Sequence, residues 1–332
     1  MRPTHGRAIR PLTGFIVLLL AAAGALGWAL AAGSMTVTVA DVFSALFGAG
    51  DSMGAQVVRE LRFSRALSAF ACGGLLGLAG ALMQVLLRNP LADPYILGIS
   101  GGAALGALGG ILAGLTALWV DAGALGGALA ATLLVFGLAH GDGSWTQTRL
   151  LLTGVIVAAG CGAGVTLMLA LAPAGQVHSM LFWLMGDASA ANRPWTVLAV
   201  LGAALALVLP FGRDLNVLAR GGLSAAALGV NVGRMRRALY GLASLCTAAA
   251  VTTVGAVGFV GLVVPHLVRL VLGNDQRILL PATVLGGGIL LTVADTLART
   301  VVAPRQLPVG VLTALIGVPV FLFLLARQPE RG

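Results

Sequence analysis

Apolar stretches of roughly twenty residues, the length an α-helix needs to cross the hydrocarbon core of a bilayer, recur along the whole chain. They fall at 12–32, 66–87, 96–115, 123–139, 150–171, 195–211, 238–256, 258–273, 280–301 and 308–326, the seventh and eighth nearly continuous. Hydrophobic residues make up 58% of the 332, and charged residues only 9%, against about 25% charged in soluble domains. The pattern predicts an all-α polytopic membrane protein: one transmembrane domain over 1–332, with about ten transmembrane helices in one bundle. The first stretch follows Arg2, Arg7 and Arg10 and ends near Ala29-Leu-Ala31, as a secretory signal would. Its apolar length exceeds the roughly 7–15 residues of such a segment, so it is read as a retained span.

The net charge of +9 comes from arginine alone, since all 20 basic residues are Arg. They are scattered over the short connections between spans, which is the pattern of orientation signals and not of a nucleic-acid surface. With both termini placed in the cytoplasm, fourteen arginines lie inside (2, 7, 10, 88, 149, 213, 220, 234, 236, 237, 269, 277, 327, 331) and six outside (59, 62, 65, 193, 299, 305). That distribution obeys the positive-inside rule. A Walker A loop needs Gly-Lys-Ser/Thr to hold phosphates. A lysine-free chain cannot hydrolyse ATP that way, so any ATP and magnesium must be bound by a partner. Cys72, Cys161 and Cys246 sit inside apolar runs as small hydrophobes. His5, His140, His178 and His266 form no metal-binding motif. The reading is a chain with no metal, no cofactor and no catalytic set of its own.

One interruption is unlike the other connections. Arg88-Asn-Pro-Leu-Ala-Asp-Pro-Tyr95 breaks two spans with a charge, an Asn, an Asp and two prolines, before glycines return at 98, 101, 102 and 106. Proline in lipid frees backbone groups that need other partners, and non-helical backbone at that depth survives only inside protein or along an aqueous cavity. The segment argues for a transport protein over a passive anchor. The 48 glycines are about twice the average frequency. Spacings such as Gly73-x-x-x-Gly77, Gly102-x-x-x-Gly106 and Gly160-x-x-x-Gly164 predict close helix packing.

Three more segments stand out. Arg62 and Arg65, three apart, share a helix face just outside the second span; they suit either solvated interfacial anchors or a docking patch. Asp295 and Arg299 sit one turn apart near the outer end of the ninth span, either as a self-satisfied pair or facing a cavity. The long inner loop 213–237 carries Leu215, Leu218, Leu223, Ala226, Ala227 and Val230 at roughly helical spacing, which suits short helices that dock a partner. Pro265-His266 reads as a helix start with its imidazole in a polar network.

These pieces together resemble the FecCD-type family, the permease subunits of ABC importers for ferric siderophores, haem and vitamin B12. The matching motifs are Arg62-x-x-Arg65, Gly80-x-x-x-Gln84, Arg88-Asn89-Pro90-Leu-Ala-Asp93-Pro94, Trp183-x-Met-Gly186 and Leu215-x-x-Leu218 through Leu228-Gly229. They continue with Gly255 to Pro265-His266, Asn274-Asp-Gln-Arg277, Asp295 and Leu307-Pro-Val-Gly310. The resemblance implies a type II ABC importer permease fold in the bacterial inner membrane, working as a homodimer with a second copy of the chain. Two ATP-binding cassette subunits would dock inside and a periplasmic substrate-binding protein outside. By the same resemblance Arg62, Arg65 and Arg299 would meet acidic residues of that binding protein. Leu215, Leu218, Leu223, Ala226, Leu228 and Gly229 would lie in the coupling helices, and Gln147 and Thr148 near the cytoplasmic gate. Gln84, Asn89, Pro90, Asp93, Pro94, Pro265, His266 and Asp295 would be structural or translocation positions. Two departures from the family pattern are Gly221-Gly222, where acidic residues are common, and Phe63-Ser64, where Leu-Pro is common. The cargo reads as an iron chelate, haem or a ferric siderophore, with cobalamin as the alternative. An ion-coupled secondary transporter would need more intramembrane acids than Asp295, with Asp93 and Asp121 in loops. Ser100 with His266 is a thin basis for an intramembrane enzyme.

Overall fold

In a computed structural model, residues 11–33, 35–48, 52–139, 147–189 and 191–326 are described; Arg2, His5, Arg7, Arg10, His140, Arg327 and Arg331 lie outside them. All regular structure among the described residues is helical. In the first third these are α1 (Pro11–Ala31), α2 (Val39–Phe47), α3 (Met53–Val57), α4 (Phe63–Leu87), α5 (Ile99–Leu112) and α6 (Ala117–Ala139). The middle holds α7 (Gln147–Leu171), α8 (Ala174–Met185), α9 (Pro194–Val208), α10 (Gly212–Arg220) and α11 (Gly222–Ala227). The chain ends with α12 (Val232–Val254), α13 (Val260–Leu272), α14 (Gln276–Thr300) and α15 (Val309–Ala326). Seven helices are long and apolar enough to span a membrane, and α5, α13 and α15 are shorter apolar ones. Together they coincide with the ten apolar stretches of the sequence, in order. The near-continuous stretch 248–273 is broken at residues 255–259.

The bundle is organised around α4, whose residues from Ala71 to Leu87 are all buried. Glycine makes this possible. A Cβ at Gly73 or Gly77 would land on backbone of α14 (Gly287, Thr283), and one at Gly80 would land on the Gly261 carbonyl of α13. That last contact has a local cause. Pro265 lies inside α13, so its missing N–H leaves the carbonyl four residues earlier, at Gly261, without an intrahelical donor. The α4 backbone closes over that freed carbonyl, where only glycine fits. Pro265 therefore does not start a helix, as its sequence suggested; α13 starts five residues earlier. A second glycine seam joins α5 to α6, where Gly102 faces Gly127 and Gly106 faces Gly123.

The interruption at 88–98 turns back into the bundle. Arg88 takes the left-handed conformation that caps α4. A Cβ on Gly261 would stand 2.9 Å from both the Leu76 carbonyl and the Pro94 ring. Leu76 lies eleven residues before the end of α4, roughly 16 Å at 1.5 Å per residue, so Pro94 has climbed back alongside α4. The extended backbone is satisfied locally. Asn89 Oδ1 accepts from Leu91 N at 2.9 Å, Asp93 Oδ1 accepts from Tyr95 N at 2.8 Å, and the Asn89 N–H donates to the Gln84 carbonyl at 3.2 Å. Pro94 and Tyr95 then open a 3-10 turn, Pro94–Leu97, that hands over to α5.

Candidate functional site

At the end of the bundle where α1 finishes, the last carbonyls of α1 lack intrahelical donors, as at any helix C-terminus. Arginines fill that need. Arg62, at the end of the π-helical turn Val58–Arg62, donates to the carbonyls of Leu30 at 3.0 Å, Ala31 at 2.7 Å and Met35. Arg299 donates through Nη2 to the carbonyl of Ala29. Cations at this end also meet the negative pole of the helix dipole. Arg62 is 5% exposed and Arg299 7%, so neither is a solvated interfacial anchor.

Arg65 takes Asp295 instead. Its Nε lies 3.1 and 3.0 Å from the two carboxylate oxygens, its Nη2 2.8 Å from Oδ1, and its Nη1 donates to Gln306 Oε1 at 3.1 Å. This fork-to-carboxylate geometry is the strong form of ion pair, and it ties α4 to α14. The Asp295–Arg299 pair one turn apart is the looser one, at 4.0 Å, and the buried Arg299 Nε has no hydrogen-bond partner. The three guanidiniums border a cavity of about 420 Å³ at this end that Glu60, Ser189 and Gln306 also line. Three guanidiniums against two carboxylates, the buried Asp295 and the exposed Glu60, leave this site with a small positive excess.

Midway through the fold, four distant motifs meet. Gly186 after α8, residues 254–257 at and after the end of α12, Val309 at the start of α15, and the Tyr95 side chain are joined by hydrogen bonds. Asp187 N donates to the Val254 carbonyl at 2.9 Å, Val309 N to the Gly186 carbonyl at 3.0 Å, and Val257 N to the Tyr95 hydroxyl at 3.1 Å. Gly186 and Gly255 have φ of 79° and 70°, which favours glycine at both. Broken helices can satisfy one another in this way inside a membrane protein. Sequence alone marked these motifs singly and gave no sign that they share a place.

At the opposite end of the bundle, Gln147 reaches from the start of α7 to the end of α4. Its Nε2 donates to the Leu86 carbonyl at 3.0 Å and its Oε1 accepts from Arg88 Nη2 at 2.9 Å, while Thr148 beside it is exposed. Gln84 is likewise doubly held, donating to the Leu262 carbonyl at 3.3 Å and accepting from Arg269 at 2.8 Å. A cavity of about 540 Å³ opens there, lined by Gln84, Arg88, Asn216, Arg220, Arg269 and Asp275. Asn216 and Arg269, which no motif singled out, turn out to organise this end. Asn216 Nδ2 donates to Asp275 Oδ1 and its Oδ1 accepts from Gln276 N, both at 2.8 Å. That hydrogen bond holds the Asp275 carboxyl below its ordinary pKa. His266 is buried within α13 and meets Phe321 edge-on at 6.4 Å between ring centroids.

The inner loop divides. Leu215 and Leu218 are buried in the chain's own core, so they seat α10 and do not form the outward docking face expected of them. Leu223 at 92% and Leu228 at 71% exposed are the leucines this loop turns outward, with Ala226 and Gly229 beside them also exposed. Spacing could not separate the two sets, because both recur at helical intervals and the break between α10 and α11 at Gly221, φ 142°, rotates one against the other.

Comparison with known proteins gives consistent matches. A model of the FecCD transport family matches residues 16–327. The hemin transport system permease protein of Yersinia pestis is 43% identical over 286 residues, covering 82% of this chain and 84% of its own length. The cobalamin import system permease protein of Halobacterium salinarum is 41% identical over 281 residues, covering 83% and 75%. A solved structure of an inward-facing ABC transporter assigned to the metal-chelate type superposes with a TM-score of 0.84 at 27% identity, over 96% of this chain and all of that one.

Proposed function

The chain belongs to the FecCD transport family and is a permease subunit of an ABC importer; from that premise we propose that its cargo is an iron chelate, haem or a ferric siderophore, carried from periplasm to cytoplasm by alternating access between two copies. The observation that supports the iron reading is the 43% identity to a hemin permease over most of both chains. Cobalamin is the second reading, supported by the 41% identity to a cobalamin permease.

The proposed roles follow the geometry. ATP and magnesium bind a pair of partner ATPase subunits, which grip the exposed side of α11 through Leu223, Ala226 and Leu228. Leu215 and Leu218 transmit that movement, because they fasten α10 to the core. Gln147 and Thr148 stand at the cytoplasmic gate, where Gln147 bridges α7 and α4. A periplasmic binding protein places an acidic side chain against the outer cavity of Arg62, Arg65 and Arg299. Surface charges of this kind set register and association rate more than affinity.

The test is to purify the tagged chain from its own membranes and identify what accompanies it. A stoichiometric ATPase, joined by a binding protein when haem is supplied, is expected. Reconstituted vesicles containing that assembly should then accumulate haem or a ferric siderophore on ATP addition. Accumulation of cobalamin alone would transfer the assignment to the second reading, and a chain that purifies with no ATPase would overturn both.

A further inference from the structure

The segment between α1 and α4 leaves and re-enters the bundle at the same end, and α2 lies within it. This nine-residue helix is firmly capped. Asp41 N donates to Thr38 Oγ1 at 3.2 Å, Thr38 N donates back to the Asp41 carboxylate at 3.0 Å, and Ser52 Oγ donates to the same carboxylate. One side of α2 faces the protein: Ala45 is buried with Ala29, Leu30, Ala55 and Val58, and Val42 packs on them.

The other side has no cover among the described residues. Val39, Phe43, Leu46 and Phe47, spaced by four, three and one, form one stripe, with Phe43 60% and Phe47 78% exposed. The two rings stack at 6.1 Å between centroids. The helix's single charge, Asp41, is engaged by Thr38 and Ser52 and stays off the stripe. The stripe also lies near the end of a helix, α1, that is long and apolar enough to span the membrane. Along α1, Leu12, Ile16, Leu19 and Leu20 are exposed, as a spanning helix exposes them to lipid, and Trp28 is exposed one turn from the end of α1. Exposed tryptophan near the end of a span belongs at the membrane–water interface, and α2 begins eight residues after α1 ends.

We infer that α2 is an interfacial helix whose Val39, Phe43, Leu46 and Phe47 are buried in the headgroup–acyl boundary of the lipid surface beside α1. An uncharged stripe of this kind binds by apolar burial and needs no anionic headgroup. The helix would also set the depth of the outer cavity, because α2 is tied through Asp41 to Ser52, from which α3 and the π-helical turn lead to Arg62. This inference stands independently of the cargo and of the docking role given to the arginines.

The test uses the full chain in nanodiscs of phosphatidylcholine, spin-labelled at Phe47→Cys or, as an aqueous reference, at Ser52→Cys. The three native cysteines are buried, and the parent chain sets the labelling background. Oxygen concentrates in hydrocarbon and a nickel chelate stays in water. The ratio of oxygen to nickel accessibility is expected to be at least about threefold higher at 47 than at 52 for a side chain in the acyl boundary. Equal ratios at the two positions would overturn the inference. So would a label at 47 that is open to nickel until the substrate-binding protein is added and protected afterwards, since that face would then belong to a protein partner.

Discussion

Helices α4 and α7 are both 25 residues long with mean hydropathy of 1.9 and 2.1 over their most apolar windows, yet 94% of that window is buried in α4 and 11% in α7. Apolarity therefore puts both in the membrane and says nothing about which is the axis of the bundle. The difference lies in what their glycines meet. On α4, Gly73, Gly77 and Gly80 each face another helix's backbone; on α7, Gly160 and Gly162 face open space, and Gly164 meets only the Leu105 side chain. The spacing Gly160-x-x-x-Gly164 looks the same in sequence as Gly73-x-x-x-Gly77, but only the second is a packing seam within one copy. In the proposed homodimer, the uncovered side of α7 is available to lipid or to the second copy.

The sharpest test of this contrast is Gly80→Leu beside Gly160→Leu. At Gly80 the new side chain meets the rigid Gly261 carbonyl, which has no rotamer to yield, and a loss of about 3 kcal/mol or more is expected. At Gly160 the cost should stay within about 0.5 kcal/mol, the range of an open surface site. Thermal unfolding in detergent measures both. Equal tolerance at the two positions would erase the distinction between axis and flank.

The inner loop repeats the contrast on a smaller scale. Leu218 packs into the core while Leu223 is exposed. Leu218→Asp should lower stability by about 3 kcal/mol, because it buries an unpaired charge. Leu223→Asp should leave unfolding unchanged and release the ATPase subunit in a pull-down. A destabilised Leu223→Asp, or a Leu218→Asp variant as stable as the parent, would reverse the assignment of the two faces.

Much of this was legible in the sequence. The ten apolar helices appear where hydropathy placed them, because burial in lipid depends on local composition. The interruption at 88–98 was also legible, since Pro90 and Pro94 break a helix and Asn89 and Asp93 can satisfy nearby backbone N–H groups, but its return alongside α4 was not. What depends on distant partners was not. Arg62 read as an interfacial anchor or docking charge and Arg299 as half of a pair with Asp295 or a group facing a cavity, with no sign of the α1 carbonyls that both serve. The meeting of Gly186, Gly255, Val309 and Tyr95 spans more than 200 positions of sequence.

Arg65 fastens the start of the buried helix α4. Arg65→Ala leaves Asp295 with only the looser Arg299 contact, and a loss of about 2–3 kcal/mol is expected, less than for a fully buried pair because Arg65 is partly exposed. Replacing Asp295 by Asn in the same chain should recover part of it, since the stranded charge is gone. Losses that simply add across this double-mutant cycle would show that the two side chains are not coupled. At the other end Gln147 is the stitch between α4 and α7. Gln147→Ala should cost about 1 kcal/mol and speed amide exchange at the start of α7 while α4 stays protected. Equal exchange in both helices would contradict the picture of a fixed axis and a detachable flank.

The smallest expected effect concerns the joint between α10 and α14, and its sign follows from the Asp275 carboxyl. Its pKa is depressed in the folded chain, chiefly by the Asn216 hydrogen bond. It therefore stabilises the fold at neutral pH, where it is charged in both folded and unfolded states, and that contribution is lost as pH falls through its folded pKa. The site is largely exposed, so the contribution is about 1 kcal/mol or less. Asn216→Ala should flatten the acid limb of the stability curve and leave the slope above neutrality alone. An unchanged acid limb in that variant would mean that α10 is held by Leu215 and Leu218 alone, with the polar joint adding nothing to how the inner loop is fixed to the axis.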